Sequence, residues 1–447
     1  MDILYKIPDS WIWTTLNELF LIERGGSPRP IQQFLTDEAD GINWIKIGDT
    51  ELGQKYIETT KEKIKPEGLK KSRLVVDGDF ILSNSMSFGR PYIVKTTGAI
   101  HDGWLVFRDV DNNLDKDFFY YLLSSSYVYQ QFSRNASGST VRNLNIDIVK
   151  QTNISLPPLN EQKRIVAKIE KLFSNLDNSD KYLLHLEKQL KRYRQSVLKS
   201  AFKGELTKEW RQENKIKKSI YFKFISEIAN TTSGGTPSRT KKEYWNGNIN
   251  WLKSGELRDN YIELVEEKIS DEGLKKSSAK IFPSGTLLMA MYGATVGRLG
   301  ILNVDTSTNQ AVCAIKNTYN AFITRYLFFY LMSIRQKMIE ESFGGAQPNL
   351  SQGYINNIKV PICSILEQKE IVNQIEKHFS IIDKLENVVQ KSINESKRLR
   401  KSILKQAFEG KLVEQDPNDE SASILLEKIA KTKEEYQKAQ KKQARKK

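Results

Sequence analysis

The side chains of this chain that could do chemistry are hydroxyls, amides and basic groups set beside glycine turns, and each such turn occurs twice. Gly25-Gly26-Ser27-Pro28 returns as Gly234-Gly235-Thr236-Pro237, and Trp44-Ile45-Lys46-Ile47-Gly48-Asp49 returns as Trp251-Leu252-Lys253-Ser254-Gly255-Glu256. Gly89-Arg90 parallels Gly297-Arg298, and Gly138 with Asn143-Leu144 parallels Gly344 with Asn349-Leu350. Groups of this kind recognise by hydrogen bonds and charge. The loops that catalysis would require are missing. Gly293-Ala294-Thr295-Val296-Gly297-Arg298 has some of the glycine spacing of a phosphate-cradling GxxxxGK[ST] loop but no Lys-Ser/Thr, and Gly68-Leu69-Lys70-Lys71-Ser72 lacks the loop. Leu156-Pro157-Pro158-Leu159 has the prolines of an adenine-holding [DNS]PP[YF] loop without its polar first residue or aromatic last one. No glycine-rich loop for S-adenosylmethionine stands out. His101, His185 and His378 share no metal-ligand spacing, and Cys313 and Cys363, in apolar surroundings without a CxxC, are expected to be buried free thiols.

The scaffold that must position these turns is duplicated too. Glu161-Gln162-Lys163-Arg164-Ile165-Val166 returns as Glu367-Gln368-Lys369-Glu370-Ile371-Val372, 206 positions later, and Ala201-Phe202-Lys203-Gly204-Glu205-Leu206 returns as Ala407-Phe408-Glu409-Gly410-Lys411-Leu412 at the same offset. Gly68 to Ser72 answers Gly273 to Ser277, and Gly78-Asp79-Phe80 answers Gly285-Thr286-Leu287, with offsets drifting only between 204 and 209. A period near 200 residues is a domain duplication, not a stacked array. Two similar units in one chain imply pseudo-twofold symmetry, which suits a bipartite target.

Short β-rich runs such as Ile42 to Ile47, Phe80 to Ser83 and Leu287 to Met291 predict strands, and Phe118 to Phe132 and Arg325 to Ile339 predict helices, so each globular unit is α+β. A proline stop then precedes a long helix in each repeat. In the first, Ile165, Ile169, Leu172, Leu176, Ser179, Leu183, Leu186, Leu190, Tyr193 and Val197 alternate steps of four and three, a heptad seam; the second offers Ile371, Ile375, His378, Ile382, Leu385, Val389, Ser392, Ser396, Leu399 and Ile403. Pairing of the two helices with each other is favoured over packing of each on its own unit, since ten seam positions exceed what one small domain covers. The tail from Asp416 is expected to hold one short amphipathic helix around Ile424 to Ile429, followed by a solvated lysine-rich run.

The 447 residues carry a formal net charge of +15, which favours a polyanionic partner, and 10% aromatic content argues for a folded chain. No apolar run approaches the ~20 residues that span a bilayer. The start, Met1-Asp2-Ile3-Leu4-Tyr5-Lys6, has no secretory signature, and the expected location is the cytoplasm.

Taken together, Ile7-Pro8-Asp9-Ser10-Trp11, the paired GG[ST]P and W[IL]K turns, the paired EQK helix starts and the paired AFxGxL helix ends resemble the specificity subunit of type I restriction-modification systems over nearly the whole chain. The resemblance implies an α+β protein with two similar α/β target recognition domains separated by two long helices that form an antiparallel coiled coil. It divides the chain into target recognition domain 1 (1–155), a first spacer helix (156–206), target recognition domain 2 (207–357), a second helix (358–412) and a basic C-terminal tail (413–447). The implied partners are double-stranded DNA, two modification subunits that bring S-adenosylmethionine and methylate adenine, and up to two restriction subunits that use ATP and Mg2+. The chain itself would be non-catalytic, with no cofactor or metal of its own. A helix of about 40 residues at ~1.5 Å per residue is long enough to set half-sites one DNA turn apart, roughly 34 Å.

The candidate DNA contacts are the polar and basic residues on the turns. They are Ser27, Arg29, Lys46, Asn84, Ser85, Arg90, Thr140, Arg142 and Asn143 in the first unit, and Ser238, Arg239, Lys253, Tyr292, Arg298, Gln347 and Asn349 in the second. Arginine suits guanine, and asparagine or glutamine suits adenine, in the major groove; stabilising a turn or positioning a phosphate is the alternative at each. Two competing functions are a single-chain methyltransferase or nuclease, for which the loops are lacking, and a coiled-coil DNA-binding or adaptor protein without a restriction-modification role.

Overall fold

The duplication is visible strand by strand. A computed structural model describes residues 5–51, 53–84, 88–135, 144–341 and 349–444, and its contacts divide the chain into two units: Met1–Tyr182 with Ser392–Lys447, and Leu183–Lys391. In unit 1, one sheet runs Leu21–Arg24, Trp104–Arg108, Phe80–Ser83, Pro91–Val94, Tyr56–Ile57; a second runs Leu35–Thr36, Glu62–Ile64, Ile42–Ile45, Gly98–Ile100, Arg73–Val75. Unit 2 repeats both orders, as Asn230–Ser233, Val312–Lys316, Leu287–Ala290, Leu299–Leu302, Asn260–Ile262 and as Glu267–Ile269, Trp245–Leu252, Thr306–Thr308, Ile281–Phe282, with no counterpart of Leu35–Thr36 among the described residues. Each sheet is mixed. Ile42–Ile45 and Gly98–Ile100 run parallel, as do Trp245–Leu252 and Thr306–Thr308. Both tryptophans of the W[IL]K turns, Trp44 and Trp251, are buried at 2% exposure and so serve the core.

The helix expected over Phe118 to Phe132 is two helices, Lys116–Leu123 and Ser126–Asn135. Two serines cause the break: Ser124 Oγ bonds back to the Tyr120 carbonyl, and Ser125 Oγ accepts from Val128 N. In unit 2 the equivalent stretch is one helix, Thr324–Glu341.

The first long helix is Leu159–Phe202 and the second Ile365–Phe408, 44 residues each, or about 66 Å at 1.5 Å per residue. The EQ pair explains how each starts. Gln162 accepts from Asp115 N and donates to the Pro157 carbonyl; Gln368 accepts from Ile323 N and donates to the carbonyls of Ala321 and Cys363. One buried amide thus ties the first turn to the globular part. The AFxGxL ends are helix stops: Gly204 and Gly410 have φ of +74° and +70°, and Glu205 N and Lys411 N reach back to the carbonyls of Ser200 and Gln406.

The helices meet through a duplicated ion-pair triad. Arg400 contacts Asp177 at 2.7 Å and Asp180 at 3.1 Å above the Phe173 ring in unit 1, and Arg194 contacts Asp383 at 2.6 Å and Glu386 at 3.0 Å above the Phe379 ring in unit 2. Higher numbers on one helix meet lower numbers on the other, so the pair is antiparallel. Ile165, Ile169, Leu190, Ile371, Ile375, Ile382 and Val389 are buried, and Leu172, Leu176, Leu183 and Leu186 are half-buried. Leu385, expected in the seam, is 43% exposed, and Tyr193 and Leu399 are exposed too. Tyr193 nevertheless meets His378, the two seam positions approaching edge-on with the Tyr193 hydroxyl 3.3 Å from His378 Nδ1, while Arg194, Glu386 and Arg400, one residue beyond Tyr193, Leu385 and Leu399, carry the ion pairs.

A cation joins each globular part to its long helix. In unit 1 Lys55 lies 2.7 Å from Asp117 and 3.2 Å from Glu170, beside the rings of Tyr56, Tyr120 and Tyr121. Burial pulls its ammonium down, but the two carboxylates outweigh burial and lift its pKa above the ordinary lysine value. In unit 2 Arg325 takes the place, 2.9 Å from Glu376 beside Tyr261, Phe328 and Phe329. Glu170 and Glu376 are equivalent, yet Arg325 stands where unit 1 has Asp117.

The tail departs from expectation. Ala422–Ala444 is one 23-residue helix, with Ala422, Leu425 and Ile429 in the core of unit 1. Lys433, assigned from sequence to a solvated run, donates to the carbonyls of Asn17, Glu18 and Phe20 and so caps the short helix Leu16–Leu19. No helix among the described residues is long and apolar enough to cross a membrane.

Candidate nucleic-acid interface

The glycine pair of each GG[ST]P turn is where the chain passes from one sheet to the other. Gly25 N bonds the Trp104 carbonyl in the first sheet, and Gly26 N bonds the Ile100 carbonyl in the second; Gly234 N and Gly235 N do the same with Val312 and Thr308. A Cβ at Gly25 would collide with the His101 carbonyl, one at Gly26 with that of Lys71, and one at Gly234 with that of Thr308. Only glycine fits, so the following residues are launched from a fixed point onto the rim of a shallow groove.

In unit 1 that groove is lined by Ser27, Arg29, Trp44, Lys46, Glu62, His101 and Asp102. Three sequence candidates, Ser27, Arg29 and Lys46, are therefore brought together. Ser27 Oγ donates to Asp102 at 2.9 Å, Arg29 lies 3.5 Å from the other Asp102 oxygen with its side chain 83% exposed, and Lys46 pairs with Glu62 at 2.5 Å. Burial pushes the Asp102 carboxyl up, but Ser27, His101 and Arg29 overturn this and hold it below the usual range. His101 faces backbone N–H groups with both ring nitrogens, Gly103 N at 2.7 Å and Ile47 N at 3.2 Å. A neutral ring accepts only one of these and a protonated ring neither; burial lowers its pKa against the pull of Asp102 and Asp49.

Unit 2 builds the same rim with other side chains. Arg239 stacks 3.6 Å above Trp245 and pairs with Glu267 at 2.6 Å, and Lys253 pairs with the same carboxylate at 2.5 Å. Burial raises the Glu267 pKa, but the two cations outweigh it. Thr236 donates to Gln310, and Ser238 bonds Thr240.

The other candidates lie elsewhere. Asn84 is 3% exposed and holds the His101–Gly103 loop, its N and Nδ2 bonding the Gly103 and Asp102 carbonyls. Arg90 is half-buried and Arg298 exposed, each following a left-handed glycine, and neither side chain has an ion pair among the described residues. Tyr292 and Asn349 face each other across an isolated β-bridge. Ser85, Thr140, Arg142, Asn143 and Gln347 lie outside the described residues.

Four groove residues escaped the sequence reading. Glu62 and Glu267 open a further repeat, Glu62-Lys63-Ile64 and Glu267-Lys268-Ile269, whose identity was available as a signal. Asp102 and Gln310 carry no such signal, because His101-Asp102-Gly103-Trp104 and Asn309-Gln310-Ala311-Val312 share no residue.

Two mixed-sheet units, each presenting polar side chains beyond a glycine-pair turn, and an antiparallel helix pair make up the chain. The chain belongs to the type I restriction modification DNA specificity domain family, which it matches over residues 8–188 and 218–395. It is 28% identical to the type I restriction enzyme EcoBI specificity subunit of Escherichia coli, over 95% of this chain and 93% of the relative. It is 25% identical to the EcoKI specificity subunit of Escherichia coli strain K12, over 95% and 96%. Among solved structures it resembles a chain described for complex assembly and conformational transition of the type I R-M system, with a TM-score of 0.74, 19% identity and coverage of 91% and 100%. The HsdS subunit from Thermoanaerobacter tengcongensis gives a TM-score of 0.59 at 19% identity, covering 92% and 99%.

Proposed function

We propose that this chain is the sequence-reading subunit of a type I restriction-modification complex. Each globular part reads one half of a split, asymmetric DNA site, and the paired helices dock modification subunits, two in the full assembly, with up to two restriction subunits joining them. The chain has no catalytic role of its own. S-adenosylmethionine belongs to the modification subunits, and ATP with Mg2+ to the restriction subunits. The observation that carries this reading is one scaffold used twice with different groove side chains: Ser27, Arg29 and Asp102 against Thr236, Arg239 and Gln310. Equal frames with unequal linings suit two different half-sites. The net charge of +15 supplies the phosphate attraction that any duplex partner needs.

The test is methyl transfer from labelled S-adenosylmethionine to duplex DNA. The expected outcome is no transfer by the pure chain and transfer at one bipartite motif once modification subunits are added. Transfer by the chain alone would favour an enzyme, and absence of salt-sensitive DNA binding would favour a protein adaptor.

A further inference from the structure

Asp102 and Gln310 occupy equivalent places in the two units. Asp102 stands two residues before Trp104, and Gln310 two residues before Val312, the first residues of equivalent strands. Each is anchored by the hydroxyl that follows the glycine pair, Ser27 on Asp102 Oδ1 and Thr236 on Gln310 Oε1. One oxygen of each is thus held by the scaffold; the other Asp102 oxygen lies 3.5 Å from the exposed Arg29 on a side chain that is itself 45% exposed, and Gln310 is exposed.

Resting on the DNA-reading function proposed above, we propose that Asp102 and Gln310 discriminate bases, Asp102 by accepting from a base amino group and Gln310 by pairing bidentately with adenine. A carboxylate cannot position a phosphate, since like charges repel. Asp102 remains ionised and so is acceptor-only, which selects cytosine N4 or adenine N6 and rejects the acceptor edges of guanine and thymine. With Thr236 on one Oε1 lone pair, the Gln310 amide still offers the other lone pair to adenine N6 and an Nε2 hydrogen to adenine N7. Lys46, Lys253 and Arg239 are already paired with Glu62 or Glu267, whereas Arg29 reaches Asp102 only at 3.5 Å with its side chain 83% exposed, so an incoming base amino group competes with it for that oxygen. Changing the side chain at either position therefore changes the edge that is read without moving the loop.

The test uses the full chain assembled with modification subunits and a randomised duplex library, with the methylated motif mapped for wild type, Asp102→Asn and Gln310→Glu, and melting measured for each. Asp102→Asn is expected to alter preference at one base pair of one half-site by roughly five- to 150-fold, leaving the other half unchanged. Gln310→Glu is expected to do the same in the other half-site. An unchanged motif in folded variants, or a uniform loss at every position, would overturn the assignment. If Asp102→Asn does not fold, Gln310→Glu decides. A wild-type complex with no preferred motif would instead sink the DNA-reading function, and this assignment with it.

Discussion

Equivalent residues of the two repeats have kept their burial and changed their partners. Glu161 is 1% exposed and accepts from Trp11 Nε1 and Gln415, whereas its counterpart Glu367, also 1% exposed, pairs with Arg211. Replacing one partner of a buried ion pair strands the other charge. Arg211→Met is therefore expected to cost about 3–5 kcal/mol, read as a lower unfolding midpoint of unit 2. Trp11→Phe removes a hydrogen bond to a carboxyl, about 1.5–3 kcal/mol, and leaves a core cavity that adds to that cost. His101 gives a pH test. Its folded pKa lies below its unfolded value near 6.5, so the unfolded chain binds the proton first as pH falls. The stability contribution is complete above about 6.5 and is lost as pH drops through that value toward the folded pKa. His101→Asn, which installs the residue found at 309, should melt with a flatter pH dependence below about 6.5; an identical profile would show that the ring does not titrate this way.

At the scale of elements, the two triads fix the phase of the helix pair. Inserting two residues after Leu186 turns the following helix by about 200°, so Arg194 can no longer meet Asp383 and Glu386 while Arg400 keeps Asp177 and Asp180. A marked fall in melting temperature is expected. Seven residues inserted after both Leu186 and Ser392 keep each half in phase and should melt near wild type. The joint between globular part and helix is the second element-scale test. Lys55→Met leaves Asp117 and Glu170 without their cation and should destabilise unit 1, whereas Lys55→Arg should restore most of the loss. Similar melting of both variants would assign the joint to ring packing alone.

For the whole molecule, the modular construction predicts that exchanging the first globular part for that of a relative changes one half of the methylated motif only. Methylation maps of the parent and the chimaera check this; a change in both halves would end the modular reading. The +15 charge further predicts DNA affinity that falls steeply between 50 and 200 mM salt, as contacts to ~6–10 phosphates would require.

The sequence by itself determined the duplication, the α+β class, the long helices and their stops. Each of these is written in a local pattern: a heptad period, a left-handed glycine, or a glycine pair where no Cβ fits. The three-dimensional packing decided what local patterns cannot hold. Leu385 and Glu386 are neighbours in sequence, and only the packed helices show that the second pairs with Arg194. The lysines of the tail look alike until Lys433 meets three carbonyls of a helix more than 400 residues away. Lys55 and Arg325 serve one purpose from non-equivalent positions, and Asp102 and Gln310 share a place but no sequence. Contacts between residues distant in the chain depend on how the sheets and helices close on one another, and closure leaves no period in the sequence.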